Sequence, residues 1–176
     1  MDPVLFKKLQ EGRKKYQDQR TKDVVRLTNK LFKDGKRDVG KLTKRDLFMA
    51  GVALYWAEGF KHKDESGLGL GTSDPNMAKF YISWLERCLE VSKKDLLFRV
   101  TANESHKDRI GEIEKFWMKE LGVEKEQFAK PFYQKTKWKK VYLNRGEYFG
   151  VLRIRVRRSL NLLRKMRGWL AGMAEL

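Results

Sequence analysis

Apolar positions recur along this chain with two different periods, and the changes of period mark its elements. Near the N-terminus they are thin: Leu5, Leu9, Tyr16, Val24, Leu27 and Leu31 stand among charges. They predict one helix over 4–33 whose stripe is too narrow for a buried core element. The following KDGKRDVGKL (33–42) carries two glycines and reads as a linker. This divides the chain into a basic N-terminal helix with its linker (1–42) and a second domain (43–176). Thr43 and Asp46 are spaced as a capping box, and Leu42 and Leu47 as a hydrophobic staple. A helix is predicted over 44–58, stopping at Gly59.

The period then shortens to two. SGLGLGTS (66–73) alternates Leu68 and Leu70 with glycines, a short strand. Ser73-Asp74-Pro75 is a helix start, and Ala78, Tyr81, Leu85 and Cys88 carry helical spacing through 75–91. LLFRVTA (96–102) reads as a strand with Phe98 and Val100 on one face. Ser105 is placed to cap a helix in which Ile110, Ile113, Trp117 and Leu121 share a face and Gly122 ends the run. QFAKPFYQK (127–135) is predicted as a strand, with Pro131 at an edge or bulge. YFGVLRIRVRR (148–158) is the clearest strand, followed by a helix over 159–173. The order α-α-β-α-β-α-β-β-α predicts an α+β domain behind an N-terminal helical extension. A weak similarity relates 44–102 to 106–173, each starting with a helix that feeds strands and a further helix.

Charge changes the picture from fold to partner. The chain carries 40 Lys and Arg against 23 Asp and Glu, a formal net charge of +17. Residues 127–169 hold 13 Lys/Arg and a single acid, Glu147, while 1–42 hold 13 Lys/Arg and 6 acids. Two basic arms therefore flank a nearly neutral centre. Such a balance points first to a polyanion, because each neutralised phosphate releases condensed counterions. A membrane surface is the second candidate for such charge, though no membrane partner is expected, and no stretch approaches the ~20 apolar residues of a spanning helix. MDPVLFKKLQ lacks the apolar run of a signal peptide. One cysteine, Cys88, fits a reducing setting. The expected location is cytoplasmic, and nucleoid-associated in a bacterium.

Two constellations could carry chemistry. In AGVALYWAEG (50–59), Ala50, Ala53 and Ala57 fall on one narrow helical face, while Phe48, Val52 and Tyr55 point into the domain. Small residues allow a second helix to approach closely, and two such helices would bring two Glu58 carboxylates together. Paired carboxylates suit Mg²⁺, which also takes waters and phosphate oxygens. From spacing alone, a buried helix ending on an exposed, solvated glutamate is the favoured reading. In VLRIRVRR (151–158), Leu152, Ile154 and Val156 alternate with Arg153, Arg155 and Arg157, so a strand would present three arginines on one face. Arginine clamps phosphates and reads guanine bidentately. Arg99 with Thr101, Gln134, and Lys135, Lys137, Lys139 and Lys140 of the KTKWKK loop could extend that surface, with Trp138 placed to stack on a base or sugar. The alternative is a solvated basic face. Gly67, Gly69 and Gly71 do not have nucleotide-loop spacing and are read as close backbone packing. His62 and His106 are too isolated for a zinc site, and Trp84, Trp117 and Trp169 lie in core patterns.

GVALYWAEG (51–59) resembles the motif of the LAGLIDADG homing endonucleases. Leu54, Ala57 and Gly59 match it identically, Glu58 stands where the motif has its last acid, and Ala53 at its small contact position. GLGLGTSDP and RSLNLLRKMRGWL resemble a wider group of bacterial proteins built around YW-x-EG-x-K…SDP. The resemblance covers roughly 43–173. It implies an αββαββα fold with a curved antiparallel or mixed sheet along the DNA major groove and helices on one face. It also implies a homodimer formed through Ala50, Ala53, Leu54 and Ala57. Glu58 would hold Mg²⁺ and the Ala57 carbonyl would add a ligand. Apart from the resemblance, Lys61, three residues after Glu58, could sit near a scissile phosphate, the alternative being a solvated turn lysine. Two metals roughly 4 Å apart could activate water and stabilise the leaving oxygen. Three departures stand out: Glu for the commoner Asp, a hairpin shortened to about 60–72, and an added helix at 106–121. The expected function is hydrolysis of duplex DNA. The alternatives are a catalytically inactive nucleic-acid binder of the same fold, and a basic module for RNA or an anionic protein.

Overall fold

The computed structural model describes residues 3–135 and 145–175. The chain forms two compact units, 1–42 and 43–176, each treated by itself. The first is one helix, α1 (Pro3–Val39), with nearly every described side chain exposed. It overruns the expected end at 33. Gly35 lies inside the helix, where one glycine costs about 1 kcal/mol relative to alanine. The neighbouring Asp34–Arg37 pair, at 2.7 Å, supports the same turn. The break comes at Gly40, which takes φ +57° and donates its N–H to the Arg37 carbonyl at 3.1 Å. What reads as a linker over 33–42 is thus mostly helix.

The second unit starts at α2 (Lys44–Glu58). Its capping box is formed: Asp46 N–H donates to Thr43 Oγ1 at 3.2 Å and Thr43 N–H to Asp46 Oδ2 at 2.9 Å. Hydrogen bonds from the Thr43 hydroxyl and N–H to the ionised carboxylate hold Asp46 below the usual carboxylate range. At the other end Gly59 does not take the left-handed conformation that usually makes glycine a helix terminator, since its φ is −68°. It is glycine for space: a Cβ there would meet the Tyr55 carbonyl at 2.5 Å and the Tyr55 ring at 2.6 Å. Gly51 has the same reason, because its Cβ would lie 2.0 Å from the Trp84 indole nitrogen. That indole instead donates to the Phe48 carbonyl at 3.2 Å, locking α2 to α3 (Pro75–Leu89). Asp74 caps α3 with Pro75 at its first position, as the sequence predicts. Cys88 is half-buried beside the core.

Four strands form one mixed sheet: β1 (Gly69–Thr72), β2 (Leu96–Asn103), β3 (Phe132–Gln134) and β4 (Val151–Val156), in spatial order β1-β4-β2-β3. β4 runs antiparallel to both neighbours, whereas the edge strand β3 is parallel to β2. The segment 127–135 keeps only three residues as strand, since Lys125–Gln127 form a 3₁₀ turn. Between β2 and β3 lie a 3₁₀ turn (Glu104–Arg109) and α4 (Ile110–Leu121). Asn103, rather than Ser105, caps that turn, accepting from Ser105 N–H at 3.0 Å. α5 (Leu160–Ala174) closes the unit.

One face of the sheet is the core. Leu70, Leu96, Phe98, Val100, Leu152 and Ile154 are each fully buried there, packed with Val52 and Tyr55 of α2, Tyr81 and Trp84 of α3, Trp117 of α4 and Met166 of α5. Each such side chain contributes about 1.5–3 kcal/mol by leaving water. The architecture is α+β, and among the described residues the opposite sheet face is partly exposed.

Candidate nucleic-acid interface

Alternation along the strands decides what that open face carries. Arg153 and Arg155 of β4 point to it, opposite the buried Leu152, Ile154 and Val156. In β2 the same side holds Leu97 and Arg99. Register then aligns the charges: Arg99 sits directly across from Arg153, and Leu97 from Arg155. On the other flank β1 offers Gly71 across from Arg153 and Gly69 across from Arg155. Together Leu97, Arg99, Ala129, Phe132, Arg153 and Arg155 line a shallow groove of about 440 Å³.

The glycines of β1 make room for a ring. Phe60, just past α2, donates its backbone N–H to the Gly69 carbonyl at 2.9 Å. A Cβ on Gly69 would come within 2.8 Å of the Phe60 ring. The ring lies beside both central arginines, 4.3 Å from the Arg153 guanidinium carbon and 4.9 Å from that of Arg155. Both contacts are cation–π geometry. Glu65, in the loop from α2 to β1, accepts from Arg155 Nη2 at 2.7 Å. Arg153 has no ion pair among the described residues. Burial, and then the neighbouring Arg155, lower its pKa from the usual arginine range, with Glu65 opposing and Arg99 adding to the shift. It stays cationic, because guanidinium does not deprotonate in proteins. Tyr55, beneath this corner, donates its hydroxyl to the Phe60 carbonyl at 2.6 Å. Its pKa is pushed up to about 12, first by burial and then by the charge of Glu65.

The C-terminal end of α2 is a separate feature. Ala50, Ala53, Ala57 and Glu58 are exposed, Leu54 is half-buried, and Trp56 on the same helix is 43% exposed. Glu58 makes no hydrogen bond or ion pair among the described residues. Lys61 donates to the Trp56 carbonyl, and to the Ala57 carbonyl at 3.3 Å. It therefore satisfies carbonyls that the helix end leaves open. No group of three His, Cys, Asp or Glu able to hold a metal occurs among the described residues.

Sequence and structure part company at three places on this surface. The three-arginine row shortens to two, because β4 ends at Val156. Arg157 lies in the turn beyond it, exposed, its backbone N–H on the Asp95 carbonyl at 2.9 Å. Gln134 and Lys135 are exposed at the far edge, around β3, with β2 between them and Arg153. Lys137, Trp138, Lys139 and Lys140 lie outside the described residues. Phe60 and Glu65 are the residues that sequence reasoning misses. The available signal is the glycine at each open-face position of β1, which implies that something else covers that strand.

Among the described residues no helix is long and apolar enough to cross a membrane. No family model matches the chain, and searches of curated proteins and of solved structures return no significant match.

Proposed function

We propose that this chain is a LAGLIDADG-like protein that binds duplex DNA on its open sheet face. In this reading it pairs with a second copy through the Ala50, Ala53, Leu54 and Ala57 face of α2, and hydrolyses phosphodiester bonds at the paired Glu58 carboxylates. One observation carries it: with helices packed on one side, the other side aligns Arg99, Arg153 and Arg155 across two hydrogen-bonded strands, with Glu65 the one acid paired to them among the described residues. Three guanidiniums against one carboxylate leave a net positive charge that favours a polyanion. The bridge Gly59↔Leu70 adds support, since it stands where the first strand of the family's hairpin would begin.

The donor set constrains the chemistry. At the end of α2 each chain offers the Glu58 carboxylate, and the Ala57 carbonyl beside it is already engaged by the Lys61 ammonium. A divalent site thus fits only when two α2 helices meet and each contributes Glu58. Bound there, Mg²⁺ would polarise the scissile phosphate and lower the pKa of its water. The Lys61 contact also favours a second reading, a binder of the same fold that does not cut. Incubating a randomised duplex library with Mg²⁺, beside the Glu58→Gln variant, separates the two. Cut ends present with wild type and absent with the variant are the expected result. Duplex retained by the protein but never cut would leave the non-cutting binder.

A further inference from the structure

The cations of the open face differ in their partners. Arg99 is exposed and Arg153 lies over Phe60, and neither meets a carboxylate among the described residues. Arg155 alone is clamped, by Glu65 at 2.7 Å and by the Phe60 ring. The Glu65 side chain is only 17% exposed, so this is a built contact and not a solvated surface pair. An acid in that place weakens the attraction of the face for any polyanion. A surface meant only to grip phosphates would bind better without it.

What Glu65 does supply is orientation. A free arginine side chain loses much rotamer freedom on docking, and one held beforehand loses less. With one N–H committed to Glu65, the rest of the guanidinium fork is presented in a defined direction. The O6 and N7 of guanine are the acceptor pair that such a fork reads in the major groove. Phosphate contacts fix register and carry no sequence information, so an acid spent on aiming one guanidinium points to a base edge rather than to the backbone.

We propose that Glu65 is a positioning residue that, with Phe60, holds Arg155 to read a guanine in the major groove, while Arg99 and Arg153 contact phosphates. This rests on the DNA-binding reading above. The test selects duplexes with a randomised centre on wild type, Glu65→Gln and Arg155→Lys. Affinity for bulk duplex is measured beside each selection at one salt concentration. Wild type should select one guanine strongly per half-site. Glu65→Gln, having lost a negative charge, should bind bulk duplex as well as or better than wild type, yet lose about tenfold or more of that preference. Arg155→Lys should lose the same position, because an ammonium cannot make the forked contact. If Glu65→Gln tightens all binding and keeps the guanine, Glu65 only repels anions and the proposal is overturned. Equal loss of bulk and selected binding would make Glu65 a structural residue and overturn the proposal as well. Wild type that retains duplex without selecting any base sinks this inference alone, and wild type that retains no duplex sinks the DNA reading with it.

Discussion

The two faces of β4 are made by neighbouring residues of one strand and obey different rules. Leu152, Ile154 and Val156 are at most 7% exposed and are fixed by what they pack against. Arg153 and Arg155, between them in sequence, are half-buried, with one ring beside them and one acid for the pair. The inward side chains answer to the fold. The outward ones gain little from folding, and their cluster of like charge works against it. Such a cluster makes physical sense when an anion completes it.

Substitutions on the two faces should therefore separate stability from binding. Ile154→Ala opens a cavity beneath the middle of the sheet and should lower the unfolding free energy by about 2–5 kcal/mol. Arg153→Ala, one residue away, should change it by less than about 1 kcal/mol. Denaturant titration of the two variants checks this, and comparable losses would erase the distinction between the faces. A finer probe is Tyr55→Phe, at the point where core meets open face. It removes the hydrogen bond to the Phe60 carbonyl and should destabilise by about 1 kcal/mol. The pH dependence has a definite sign. Tyr55 has a folded pKa of about 12, above its unfolded value near 10, so the protonated hydroxyl stabilises the fold below pH 10. That contribution is lost as pH rises from 10 through 12. Tyr55→Phe should therefore lose less stability than wild type across this window, as alkaline unfolding curves of the two proteins would reveal.

Much of the fold was legible because its signals are local. Thr43 with Asp46, and Asp74 with Pro75, mark helix starts by hydrogen-bonding chemistry that needs no tertiary contact. Leu68 to Thr72 and Leu152 to Val156 show their strands by alternation alone. Ends were less legible. Gly35 looks like a break yet stays helical, and Arg157 continues the alternation past the last residue that β4 pairs. The segment 127–135 misleads because its apolar residues are divided between the end of a 3₁₀ turn and a three-residue edge strand. The arginines of the candidate site were legible as a period-two row, but their setting was not. Phe60 and Glu65 sit in a loop without periodicity, and only the sheet register brings them to Arg153 and Arg155. The glycines of β1 were legible as close packing, though not that Phe60 is what packs there.

The central claim is that the open face binds duplex DNA, and the most direct measurement is the salt dependence of duplex binding. It compares wild type with the Arg99→Ala, Arg153→Ala, Arg155→Ala triple variant. Binding should be weaker at every salt concentration and the log–log slope shallower by about 2, because the phosphate contacts of Arg99 and Arg153 are lost while the core face keeps the domain folded. An unchanged slope and affinity, in a triple variant that unfolds like wild type, would contradict it and move the binding surface elsewhere on the chain.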